Sequence, residues 1–80
     1  MTYREYNELK EVIRWVVGQG SILASDLQLK FIKGYNWADK KLASLEELKI
    51  VGENRYLFGR KVLVNKNEAE TIILNQVKYK

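Results

Sequence analysis

The sequence predicts an α+β domain in which two helices joined by a tight turn lead into a β-hairpin, and three observations predict it. From Ser25 to Leu48 two helical runs are interrupted only at Lys33 and Gly34. From Ile50 to Val64 the chain is rich in β-branched and aromatic residues on either side of Gly59. Ahead of both, residues 2 to 17 repeat apolar side chains at helical spacing, which supplies a third helix to close the core. Together these describe one domain over residues 1–80: a winged helix, meaning a helix-turn-helix with a β-hairpin wing. It has a three-helix core and an extra C-terminal helix.

Each element has its own warrant. In residues 2–17, Tyr6, Leu9, Val12, Ile13 and Val16 form the stripe, Thr2 and Glu5 are spaced as a capping box, and Trp15 falls at the core edge. Gly18 and Gly20 end that helix. Their GxG spacing, with no strand before it and no P-loop Lys after it, is not read as a nucleotide site. Ser21 to Leu23 read as a short strand that partners the wing.

The helix-turn-helix occupies residues 25–48. Ser25 is the expected cap, Leu27 and Phe31 share one face, and Gly34 is expected to supply the positive φ of the turn. Tyr35, Ala38, Leu42, Leu45 and Leu48 form the stripe of the second helix, which Gly52 is expected to close. Asn36, Trp37, Lys40, Lys41 and Ser44 are expected opposite it, as the face presented to a DNA groove. The wing, residues 50–64, places Arg55, Arg60 and Lys61 near its tip, with Tyr56 or Phe58 either in a minor groove or in the core. Residues 66–78 carry Ala69, Ile72, Ile73, Gln76 and Val77 in helical register, with Asn65 or Asn67 as cap. Their apolar surface fits packing onto the first helix or a homo-oligomer contact.

Composition narrows the function. The chain has 80 residues, 46% of them hydrophobic, and a formal charge of +4, with no Cys and no His. Lack of Cys removes disulfides and thiol catalysis; lack of His removes the commonest general base and metal ligand. The acidic neighbours Glu46 and Glu47 point to different faces of a helix, as do Glu68 and Glu70 at a spacing of two. No enzyme, metal site or cofactor is expected. No apolar run reaches the roughly 20 residues that span a bilayer, and Tyr3, Glu5, Asn7 and Glu8 interrupt any signal-peptide core. No membrane partner and a cytoplasmic location are expected. The two ends of the chain are neutral, and the surplus of nine cations over five anions lies between Asp26 and Lys66. A surplus confined to the helix-turn-helix and wing is the electrostatic footprint of a DNA reader.

The stretch LQLKFIKGYNWADKKLASLEELKIVG resembles the gamma domain of the FtsK and SpoIIIE family of DNA translocases. The positions that match are Leu27, Gln28, Lys30, Phe31, Gly34, Tyr35, Asn36, Ala38, Leu42, Leu45, Glu46, Ile50, Val51 and Gly52. The likeness runs more weakly back to Tyr6 and forward through Arg60 to Val64. It implies a winged helix that reads a short, oriented, G-rich motif in double-stranded DNA and so sets the direction of pumping. Asn36 and Lys40 look like that family's base and phosphate contacts, whereas Trp37 stands where the family usually has Arg and Ala43 where it often has an acidic residue.

In the DNA-binding reading, Lys30, Lys33, Lys40, Lys41, Arg55, Arg60 and Lys61 hold phosphates and the Asn36 amide reads a base edge. Trp37 packs on a thymine methyl or the sugar backbone, or else seals the first helix against the recognition helix. The alternatives are a protein-interaction or dimerisation module on the same fold, and a small phage or mobile-element transcription regulator.

Overall fold

The computed structural model describes residues 2–55 and 59–78. Thr2 and Glu5 do form a capping box: the Thr2 N–H donates to Glu5 Oε1 at 2.8 Å and the Glu5 N–H to Thr2 Oγ1 at 3.1 Å. Helix α1, Tyr3–Val16, follows from that cap and buries Leu9, Val12, Ile13 and Val16 on one stripe. Strand β1, Ser21–Ile22, then leads into α2, Ala24–Phe31, and α3, Tyr35–Glu47. Strand β2, Arg60–Lys61, runs antiparallel to β1, with Ser21 opposite Lys61 and Ile22 opposite Arg60. Helix α4 is Lys66–Gln76. Among the described residues, four helices and a two-stranded antiparallel sheet make an α+β domain whose arrangement is compatible with a winged helix.

The stretch before β2 returns beside it. Val51 bridges Val62, the Gly52 N–H donates to the Lys61 carbonyl at 2.9 Å, and the Leu63 N–H donates to the Ile50 carbonyl at 2.8 Å. Nearer the tip the Arg55 N–H donates to the Gly59 carbonyl at 2.8 Å. The expectations for Tyr56 and Phe58 fall outside the described residues.

The core gathers the α1 stripe, Leu27 of α2, Ala38, Leu42 and Leu45 of α3, and Ile50 and Val51. Helix α4, capped by Asn65 and not Asn67, closes it with Ala69, Ile73 and Val77 and is tied to α1 by a bidentate Arg14–Glu70 pair at 2.9 and 3.0 Å. Packing onto α1 therefore accounts for most of its apolar surface, and Leu74 remains exposed. Among the described residues no helix is long and apolar enough to cross a membrane.

Four local expectations are corrected. Ser25 does not cap α2: the helix starts as soon as the chain leaves β1, with Leu23 at the N-cap and its N–H donating to the Asp26 carboxylate at 2.8 Å. Gly34 does not supply the positive φ of the turn. Ile32 does, at φ 53°, while Gly34 is the extended N-cap of α3 at φ −77°. Gly52 does not close α3, because Lys49 at φ 62° makes the left-handed turn and the Ile50 N–H reaches back to the Leu45 carbonyl at 2.9 Å. That is a Schellman closure, with buried Ile50 against buried Leu45. Tyr35 leaves the buried stripe. It is 58% exposed and lines a groove with Asp39, Asn54 and Arg60.

Candidate nucleic-acid interface

The α2–turn–α3 unit fixes which side chains reach solvent. With Ala38, Leu42 and Leu45 turned inward, the 3.6-residue period aims Asn36, Lys40, Ala43 and Glu47 outward, and all four are exposed. Asn36 and Lys40 stand one turn apart on that face. Lys30 is exposed on α2, Lys61 on β2 and Arg55 in the stretch leading to the tip. Among the described residues none of Lys30, Lys40, Arg55 and Lys61 forms an ion pair.

Trp37, Lys41 and Ser44 are not opposite the stripe. They lie on the flank of α3, about 100° round the helix from its outward face, and each is partly buried. The Trp37 Nε1–H donates to Glu8 Oε1 of α1 at 3.4 Å. Its ring lies 5.6 Å from that of Phe31, which meets Trp15 edge-on at 6.0 Å. Trp37 thus joins an aromatic row that runs from α1 through α2 to α3. This is the sealing position, with the indole partly buried.

The same Glu8 carboxylate faces two lysines expected to bind phosphate. Lys33 Nζ is 3.6 Å from Oε2 and Lys41 Nζ is 3.8 Å from Oε1. Both ammonium groups also lie over the Trp37 ring, at 5.9 and 5.6 Å from its centroid, within cation–π range. The Lys41 side chain is only 12% exposed as a result. Sequence reasoning missed Glu8. Its position one residue before buried Leu9, at the margin of the α1 stripe, was the only local signal, because its partners lie 25 to 33 residues away.

Arg60 is engaged as well. Its Nη1 donates to Glu46 Oε1 at 2.7 Å and to the Gly52 carbonyl at 3.2 Å, and its side chain is 13% exposed. It ties β2 to α3 and to the strand-like stretch beside it. The nine residues predicted from sequence therefore divide by environment. Lys30, Asn36, Lys40, Arg55 and Lys61 are open to solvent, while Lys33, Trp37 and Lys41 gather at Glu8 and Arg60 is held at Glu46.

Acidic residues frame this surface. Asp39 is exposed on the groove side of α3 and Glu47 at its outward C-terminal end. The positive part of the helix surface is thus its N-terminal half, where the helix dipole also favours an anion. No protein-family model, no curated protein and no solved structure matches this chain.

Proposed function

We propose that this chain is a winged-helix domain that binds double-stranded DNA with α3 as its recognition helix. The observation that carries the reading is the outward face of α3, where an amide and a free ammonium, Asn36 and Lys40, stand exposed one turn apart. That pairing suits a base edge beside a backbone phosphate. Lys30, Arg55 and Lys61 are further exposed cations available to phosphates. The resemblance of the α2–α3 stretch to the gamma domain of DNA translocases extends the proposal to an oriented, G-rich target.

Fluorescence anisotropy with a random-sequence duplex pool and an oriented G-rich duplex, at low and physiological salt, tests it. Four phosphate contacts give a slope of log K on log salt of about −3.6. Lys40→Ala should flatten that slope by about one unit and weaken all sequences alike. Asn36→Ala should lose roughly 1 to 3 kcal/mol of preference at a single base pair. Absence of binding at low salt refutes the proposal; equal binding to both duplexes keeps DNA binding and removes the G-rich target.

A second reading, a protein-docking module, is favoured by Leu29 and Ile32, which are 82% and 87% exposed at the end of α2. Binding through that apolar pair would hold its strength as salt rises, the opposite of the DNA reading.

A further inference from the structure

Glu8 is the one carboxylate among the described residues that meets two cations of the helix-turn-helix at once. Its distances to Lys33 and Lys41, 3.6 and 3.8 Å, are too long for good hydrogen bonds, so the three groups form a loose charge cluster and not a locked pair. The carboxylate is also partly exposed, at 23%, which puts the cluster within reach of an incoming anion. Partly exposed pairs of this kind are weakly held.

We propose that Glu8 sets the strength and the salt dependence of DNA binding, by occupying Lys33 and Lys41 in the way that a backbone phosphate would. The inference rests on the DNA-binding reading above. With Glu8 charged, two ammonium groups beside the recognition helix are neutralised from within and the carboxylate repels a neighbouring phosphate. Binding then depends on the unpaired cations. Without that charge, the same two lysines stay stacked over Trp37 and turn their unmet charge to the DNA backbone. Glu8 touches no base in this scheme and is a positioning residue.

Glu8→Gln tests this, because the amide oxygen can still accept from Trp37 Nε1 while the charge is gone. Retention of the Trp37 indole Nε1–H resonance and of the near-ultraviolet circular dichroism verifies the fold. Two additional phosphate contacts steepen the salt slope by about 1.8 units, so the ratio of Kd at 200 mM to Kd at 50 mM salt should grow about tenfold over that of the wild type. Glu11→Gln, an exposed carboxylate one turn further along α1, makes the same change in net charge and should leave the slope near the wild-type value. Replacing Lys33 and Lys41 together by Ala should cancel the gain in the Glu8→Gln background and change the slope little in the wild-type background.

The results separate the two readings. If the wild type binds DNA and Glu8→Gln changes its slope no more than Glu11→Gln does, the role of Glu8 is overturned and DNA binding stands. If the double lysine variant flattens the wild-type slope by about two units, the lysines hold phosphates with Glu8 in place, and the proposal is again overturned. This second arm does not depend on Glu8→Gln folding. If neither the wild type nor Glu8→Gln binds at 50 mM salt, both readings fall together. Binding by Glu8→Gln alone would support Glu8 as a lock on the site.

Discussion

Ile32 occupies the left-handed region at φ 53°, ψ 58°, with its side chain 87% exposed. A β-branched residue there costs roughly 1 to 2 kcal/mol against its own carbonyl, and burial returns almost nothing at this exposure. Replacement by Gly removes the strain but adds freedom to the unfolded chain, leaving a net gain of about 0.5 to 1 kcal/mol. Ile32→Gly should therefore raise Tm by roughly 3 to 6 °C. Gly59 is the converse case. It sits at φ 70°, and a Cβ there would stand 2.5 Å from the Ile22 carbonyl oxygen and 2.9 Å from Leu23 Cδ2. Gly59→Ala combines backbone strain with overpacking and should cost about 2 to 4 kcal/mol, read as a lower urea midpoint at unchanged m. These residues show what was hidden in the sequence. Gly34 looked like the left-handed turn and Gly52 like the end of α3, yet the left-handed turns fall at Ile32 and Lys49. Glycine marks where a left-handed turn is cheap; tertiary packing chose where it happens. At Lys49 the reward is visible, since the turn buries Ile50.

At the scale of elements, periodicity places the four helices of the described residues within about two residues, and the Thr2–Glu5 spacing alone reads as a capping box, whereas Ser25 is not the cap it resembles and only the structure decides between Asn65 and Asn67. The orientation of α3 was only partly legible. Tyr35, Ala38, Leu42, Leu45 and Leu48 span about 140° of the helix, and nothing local says that α1 packs along the Leu48 edge while the groove opens on the Tyr35 edge. Trp37 and Lys41 consequently face α1. The same blindness to long-range partners concealed the role of Arg60, which joins β2 to α3 through Glu46 and to the Gly52 carbonyl. Glu46 is half exposed, so solvent screens the pair, and the tether should be worth about 1 kcal/mol. Arg60→Met keeps the aliphatic stem and removes both bonds. It should lower stability by about that amount in urea and leave the salt slope of the proposed DNA binding unchanged, whereas a phosphate contact would flatten it by about one unit.

Across the whole molecule, the cations are engaged unevenly. Arg14, Lys33, Lys41 and Arg60 are tied into carboxylate pairs that hold elements together, whereas Lys30, Lys40, Arg55 and Lys61 form no ion pair among the described residues. The Arg14–Glu70 pair, outside the basic stretch, joins the first helix to the last. The hydrogen bonds from the Arg14 guanidinium hold the Glu70 carboxyl below its ordinary value of 4.5, and the Thr2 backbone N–H, with the Thr2 side chain, does the same for Glu5. A carboxyl whose folded value is depressed adds stability above its ordinary value, and that contribution fades as pH falls through the folded value. For these two carboxyls the loss thus falls in the acid range below 4.5. Glu70→Gln isolates one of the two. The variant should melt below the wild type at neutral pH, and the gap should close as pH falls below 4.5 and through the depressed folded value, where the wild-type carboxyl becomes protonated and resembles the amide. Thermal melts of both proteins at intervals from neutral to acid pH give the result directly. A gap that persists unchanged in acid would mean that the Glu70 charge does not fasten α4 to α1, leaving Ala69, Ile73 and Val77 to hold the helix by burial alone.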